Sequence, residues 1–391
     1  MSAFSYIAAA LIAAALAAGA HAQEAPIVVG AVVSQTGSQA GLADGYGKGL
    51  RVWEEQTNAA GGLLGRRVEL RILDDHSEAT RAGPAYAELI ASGADLLVGP
   101  YGSAATLVAA AEAERARHVM ANGAGPSERV YKRPQRWLFQ TVAPYSSYGE
   151  GVLALAARMQ CASVLIVARS DVASAEMAQA AHARAEKMGL YLPEVVSFSG
   201  REDLVPLVAR AAAQYVDCWI SFGEVRDAAD TVIEMKRVGY APRLFHASSA
   251  AQPGFVRRVG QDAEHTLASL AYDPAWPTAY NAAFAAAYAA RWGRPPDAAA
   301  AQGHAAATVL ARAVERVGSL DQEKLRAALA DMEIETVLGT YRVGKSGEQT
   351  GIKPAVVQIQ RGRRVLVWPP ALAGEAPLEP YLPWDERTLL R

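Results

Sequence analysis

Cysteine is nearly absent from this chain: Cys161 and Cys218 are the only two among 391 residues. That excludes a disulfide-dense scaffold and leaves room for one bridge at most. Positive charge is not in excess either. Lys and Arg number 38 against 40 Asp and Glu, scattered to a formal net charge of −2. Without a basic stripe to meet phosphates, nucleic acid is not an expected partner. The seven histidines show no metal-ligand spacing. Neither a G-x-S-x-G elbow nor an H-E-x-x-H motif occurs, so no metal, cofactor or catalytic set is expected. Beyond the first residues, no apolar run reaches the roughly 18 positions that a membrane-spanning helix needs.

What is there begins with an apolar stretch. Tyr6 to Ala18 is almost wholly Ala, Leu and Ile, followed by Gly19 and Ala20-His21-Ala22. A short apolar core before small-x-small reads as a secretory signal peptide, residues 1–22, cleaved before Gln23. Its first six residues lack the usual Lys or Arg. The alternative is a membrane anchor, but the run is short for a hydrocarbon core of about 30 Å. Export places the mature chain in the periplasm, where thiols oxidise. Each cysteine opens an apolar run, "CASVLIV" and "CWISF". If these runs are neighbouring parallel strands, the thiols stand side by side, as a bridge worth up to about 4 kcal/mol or as two buried free thiols.

Strand and helix patterns alternate along the mature chain. "PIVVGAVV", "RVELRIL", "DLLVG" and "HVMAN" read as strands, separated by helical stretches that include residues 41–60 and "SAATLVAAAEAERAR". After "RWLFQTVAPYS" the alternation restarts with "SVLIVAR", "EVVSFS", "CWISFG" and "RLFHAS". Such alternation indicates βαβ units, a parallel sheet and an α/β fold, here in two similar lobes. "LASLAYDPAWP" leaves the second lobe, and helices are expected around 278–291, 297–317 and 321–330. "PAVVQIQ" and "RRVLVWP" form the one hairpin-like pair, and the Pro-rich tail is expected to lie extended on the surface.

In open α/β sheets, ligands bind beyond the carboxyl ends of the strands. "LLVGPYGSAAT" (96–106) ends a strand, exposes a small loop and starts a helix. Gly102 there allows close backbone approach, and Ser103 offers a hydroxyl as a ligand contact, as the helix N-cap, or as both. Gly123, Ala124 and Gly125 repeat the arrangement after the next strand. "SQTGSQAGLADGYGKG" carries G-x-G-x-G at Gly45, Gly47 and Gly49, but too far from its strand for a dinucleotide fingerprint. Asp74-Asp75-His76 reads as a set of loop acceptors. Trp53 and Trp292 read as core packing.

These segments resemble the periplasmic solute-binding proteins of ABC importers, and more narrowly the branched-chain amino acid (Leu/Ile/Val) binding type. The resemblance rests on "VVGAVVSQTGSQA", "NAAGGLLGRRVELRILDD" (58–75), "LLVGPYGSAAT", "EMKRVGY" and "VVQIQRGRRVLVWP". It implies two Rossmann-like, doubly wound parallel-sheet lobes joined by three crossings. Lobe 1 is then 23–143 and 272–335, lobe 2 is 144–271 and 336–372, and 373–391 is a tail. It also implies a monomer that takes a small-molecule ligand between its lobes and hands it to an inner-membrane ABC permease.

Carried over by position, the first-lobe ligand site falls on Ser103 and on Gly123, Ala124 and Gly125, beside Gln39, Tyr101 and Gly102. Gly125 stands where the family has a Thr, and Leu42 takes the place of the aromatic wall. In the second lobe, Ser248 and Ser249 follow "RLFHA" where an acidic residue is expected. Glu224 and Ala173 replace two tyrosines. A buried ammonium without a partner carboxylate costs several kcal/mol, about the stability of a weak domain. These replacements therefore point away from a standard branched-chain amino acid, towards an amide, a small organic acid or another polar solute. Two rivals are an exported sensor of the same fold and a serine hydrolase, which needs an imidazole at Ser103.

Overall fold

The computed structural model describes residues 24–132, 135–190 and 195–387; the expected leader, residues 1–22, lies outside them. The chain opens with β1 (Ile27–Val32), α1 (Ala40–Ala59), β2 (Val68–Leu73), α2 (Ala82–Ala91) and β3 (Leu96–Val98). It continues through α3 (Ser103–Ala116), β4 (Met120–Asn122) and β5 (Leu138–Gln140). These strands form a parallel sheet in the order β2-β1-β3-β4-β5. Every residue of β1 is buried, which is why its sequence is continuously apolar rather than alternating.

The chain then crosses to the second lobe. There it forms α4 (Glu150–Arg158), β6 (Val164–Arg169), α5 (Val172–Lys187), β7 (Val196–Phe198) and α6 (Arg201–Ala213). Next come β8 (Cys218–Phe222), α7 (Val225–Arg237), β9 (Leu244–Ala247), α8 (Pro253–Val259) and β10 (Leu267–Leu270). A second crossing returns α9 (Asn281–Trp292), α10 (Ala298–Val317), α11 (Gln322–Asp331) and the hairpin β11 (Ile334–Thr336)–β12 (Gly339–Tyr341) to lobe 1. A third delivers β13 (Ala355–Gln360) and β14 (Arg363–Trp368) to lobe 2. Its sheet runs β14-β13-β10-β9-β8-β6-β7, parallel except that β13 is antiparallel to both of its neighbours. No described helix is long and apolar enough to cross a membrane.

Lobe 1 has one core around its sheet, and lobe 2 has a core on each face of its sheet. A fourth apolar cluster gathers Val142, Tyr272, Trp276, Phe284, Tyr288 and Ile352 where the crossings run. The G-x-G-x-G run has a packing role. A Cβ at Gly49 would meet the Ala300 backbone, and one at Gly45 the Asp297 carboxylate, so both glycines let α10 lie close on α1. Cys161 and Cys218 are joined in a disulfide with their Cα atoms 6.1 Å apart. Cys218 pairs with Val164 on β6, and Cys161 lies three residues before that partner.

Two expectations are corrected. The third crossing falls after Gly351, not at 335. Tyr341 is in the lobe 1 core and donates to Leu329 O (2.7 Å), while Gln140 N donates to Gly347 O (2.8 Å). The three-residue strands β11 and β12 make a second hairpin too short to show in the sequence pattern. The tail is also docked rather than merely extended. Tyr381 is 3% exposed, packed against Phe245. The Gln358 amide exchanges two 2.8 Å hydrogen bonds with the Leu378 backbone. Arg387 lies over Tyr381 and Trp384 and donates to the carbonyls of Asp262, Glu264 and Leu382.

Candidate functional site

In lobe 1 the strand order reverses between β1 and β3, so the connections after them leave to opposite faces and open a crevice. Ser34 follows β1. After β3, Gly102 turns the chain at φ 93°, a conformation natural only to glycine. Its N–H donates to Ala124 O (3.0 Å), and its carbonyl accepts from Thr106 N (3.0 Å) and Thr106 Oγ1 (2.9 Å). Gly102 is thus the N-cap of α3, and Ser103 is the first helical residue. Its hydroxyl accepts the Ser127 N–H (3.1 Å) instead of capping its own helix. The first amides of α3, at Ser103, Ala104 and Ala105, have no acceptor within the helix, and all three residues line a cavity of about 460 Å³.

That cavity is shared between the lobes. Lobe 1 contributes Ser34, Gln39, Asp75, Ser77, Tyr101, Leu107, Ser127 and Arg129; the first crossing contributes Tyr145, and α5 of lobe 2 contributes Val172 and Ala173. Burial pushes the Tyr145 phenol up to about 12, helped by the nearby Glu176 charge. Tyr101 is likewise raised by burial and by Asp297. Both phenols are therefore neutral donors at pH 7.

The rim is tied down by carboxylates. Asp75 Oδ1 accepts from Ser34 Oγ (2.7 Å) and Ser77 N (2.9 Å). Asp74 accepts from Thr36 Oγ1 and from the amides of Gln35, Thr36 and His76. Burial works to raise the Asp74 carboxyl, but these hydrogen bonds outweigh it and hold it below its usual range. The Asp74-Asp75-His76 run is thus a set of loop acceptors.

Of the residues singled out in the sequence, Gln39, Tyr101, Gly102, Ser103 and Ala173 lie on the cavity wall. Gly123, Ala124 and Gly125 do not; they back it. Gly125 N donates to Asn122 Oδ1 (2.7 Å), and a Cβ at Gly123 would strike the Tyr46 hydroxyl. The Ala124 carbonyl holds the Gly102 N–H, and the missing side chains at Gly123 and Gly125 make room for Tyr46 and Thr106. Leu42 is 64% exposed on α1, off the wall. Glu224 is the N-cap of α7 in a capping box with Asp227, and Arg169 Nε lies 3.8 Å from it. Ser248 Oγ accepts the Gly223 N–H (3.3 Å). Both stand at strand ends of lobe 2, beyond the wall.

The sequence reading missed Ser34, Ser77, Leu107, Ser127, Arg129, Tyr145 and Val172. Ser34 was within reach of the same strand-end rule that found Ser103. A second hollow of about 520 Å³ lies along β13 and β14, where Arg364 pairs with Asp273 (3.0 Å). It draws on the second crossing, the hairpin and the tail, away from the strand ends.

Two α/β lobes joined by three crossings, with one cavity between their facing strand ends, define a bilobal small-molecule receptor fold. The profile of the periplasmic binding protein family matches residues 26–364, and the chain belongs to that family. It is 23% identical over 339 residues to an "Amino acid binding protein" of Pseudomonas aeruginosa, spanning 83% of this chain and 87% of that one. Among solved structures, it resembles a putative branched-chain amino acid ABC transporter protein from Silicibacter pomeroyi with a TM-score of 0.81 at 20% identity, over 91% of this chain and 99% of that one. A solute-binding protein of an ABC transporter from R. palustris, in complex with benzoate, matches with a TM-score of 0.70 at 18% identity, over 90% and 98% of the two chains.

Proposed function

We propose that this protein captures a small organic carboxylate between its lobes in the periplasm, after removal of its leader, and hands it to an inner-membrane ABC permease. The observation that carries this reading is the start of α3 on the wall of a cavity that both lobes line. Three helix-start amides, the Ser103 hydroxyl and two neutral phenols present donors to one space. The positive end of the helix dipole favours a negative group there. Asp75 is the one carboxylate among the described wall residues, and it is 1% exposed, engaged by Ser34 and Ser77. A ligand ammonium finds little to pair with. The benzoate-bound relative is compatible with an acid lacking an amine.

Closure needs no chemical step: contacts to both lobes shift an open–closed equilibrium. The Ser103 hydroxyl accepts from an amide, and no described histidine is hydrogen-bonded to it, which favours a binding role over a hydrolase. A zwitterionic amino acid is the second reading, favoured by Asp75 alone. A thermal-shift panel of benzoate, L-leucine, L-phenylalanine and benzamide separates the readings. Stabilisation by benzoate supports the carboxylate; a shift with the amino acids or the amide alone overturns it. Ser103→Ala then weakens the best acid about tenfold, the scale of one hydrogen bond to a charged group, as calorimetry would show.

A further inference from the structure

Lobe 2 offers few side chains to the cavity, yet it reaches the ligand-facing hydroxyl by another route. Helix α5 starts at the cleft, with Asp171 accepting from Ser174 N (2.9 Å) and Val172 and Ala173 on the wall. Three and four residues further along, Glu176 shares their helix face. Its side chain is 13% exposed and points at lobe 1. One oxygen, Oε1, accepts from Ser127 Oγ (2.9 Å) and is ion-paired with Arg129, whose Nε lies 2.8 Å away. The other, Oε2, is buried without a partner among the described residues.

Ser127 is the joint of this arrangement. Its hydroxyl accepts from Arg129 N (3.2 Å) and donates to Glu176, and its own N–H donates to Ser103 Oγ (3.1 Å). A serine hydroxyl has one proton and two acceptor positions. With one acceptor position on Ser103 filled by the Ser127 amide, the Ser103 proton is left for the cavity.

We propose that Glu176 is a positioning residue for ligand capture: closing lobe 2 seats its carboxylate on Ser127, and that contact fixes Ser127 so that Ser103 presents its hydroxyl proton to the bound ligand. The ligand end of this inference rests on the carboxylate reading above; the cross-lobe contact does not. Arg129 is 58% exposed, so its arm contributes little, whereas the Ser127–Glu176 bond is part-buried, with Ser127 itself buried, and charge-assisted. The orphaned Oε2 makes the contact reversible. When the lobes part, water reaches both oxygens, so opening recovers solvation that closure had removed. Coupling of this kind is reciprocal: whatever holds Ser103 also favours the closed lobes.

The test has two arms. In the first, small-angle scattering compares ligand-free wild type, Glu176→Ala and Glu176→Gln, each checked by thermal melting. A larger radius of gyration for Glu176→Ala supports the contact; an unchanged radius overturns it. In the second, calorimetry with benzoate, or with the tightest acid of the panel, follows a double-mutant cycle with Ser103→Ala. Glu176→Ala is expected to weaken binding about tenfold in wild type and less than about twofold beside Ser103→Ala. Equal losses in both backgrounds overturn the positioning role and leave a plain closure contact. If no acid of the panel binds wild type, the carboxylate reading falls, and with it the ligand end of this inference. The scattering arm still decides the contact.

Discussion

Gly102 holds the turn into α3 at φ 93°, and the nearest atom to an added Cβ would be Gln39 Oε1 at 3.6 Å. Space is available, so the penalty for a side chain is conformational alone. Gly102→Ala is expected to cost about 1–2 kcal/mol and to misdirect the α3 amides, read as a lower melting temperature together with weaker ligand binding. Three buried histidines, His118, His246 and His304, set a pH dependence, because burial lowers each of them. Burial pushes His246 and His304 from 6.5 down to about 3, so both are neutral when folded. The unfolded chain takes up their protons first, and stability falls as pH drops below about 6.5. Between pH 6.5 and 5.0, above the carboxylate range, His304→Gln is expected to flatten the melting-temperature slope; an unchanged slope would remove His304 from this account. At this scale the sequence exposed Ser103, because a lone hydroxyl between Gly102 and Ala104 at a strand end stands out. It hid Ser127 and Glu176, whose meaning comes from a partner 49 residues away.

Elements with a strong period were legible, and elements made of three residues were not. The six-residue runs of β1 and β6, buried on both faces, read as strands without help. The "LFQ" of β5 and both strands of the β11–β12 hairpin are too short to show a period, so the third lobe boundary was set a hairpin early. The tail was misread because proline suggests solvent, while its anchors are single residues: Tyr381, Trp384 and Arg387. Ending the chain at Leu372 uncovers Phe245 and the Gln358 amide, and is expected to lower the melting temperature of the second lobe; an unchanged melt would make the tail a passenger. Reducing the Cys161–Cys218 bridge, which spans 57 residues, is expected to destabilise lobe 2 by up to about 4 kcal/mol. The site lies at the opposite strand ends, so ligand affinity measured below the melt should hardly move.

The whole molecule is two lobes, each with its own core, and the proposed function depends on the relation between them. Two lobes and the parallel sheets followed from alternating patterns, and binding beyond the strand ends from the general rule for such sheets, but which loops face each other across the gap did not. Facing depends on the crossing geometry, so Glu224 and Ser248 were assigned to a wall they do not reach. A ligand at 100 times its dissociation constant is expected to add about 2.7 kcal/mol to stability and to shrink the radius of gyration. Stabilisation without compaction would argue against closure.

The three crossings also govern how the gene can be divided. A cut near residue 145 leaves an amino-terminal piece holding the lobe 1 strands but lacking α10, the helix on which α1 lies. The carboxyl-terminal piece keeps all of lobe 2 but also carries α9 to α11 without their sheet. Fragments split there should be soluble only when produced together, making reassembly of the two halves a direct report on lobe 1 formation.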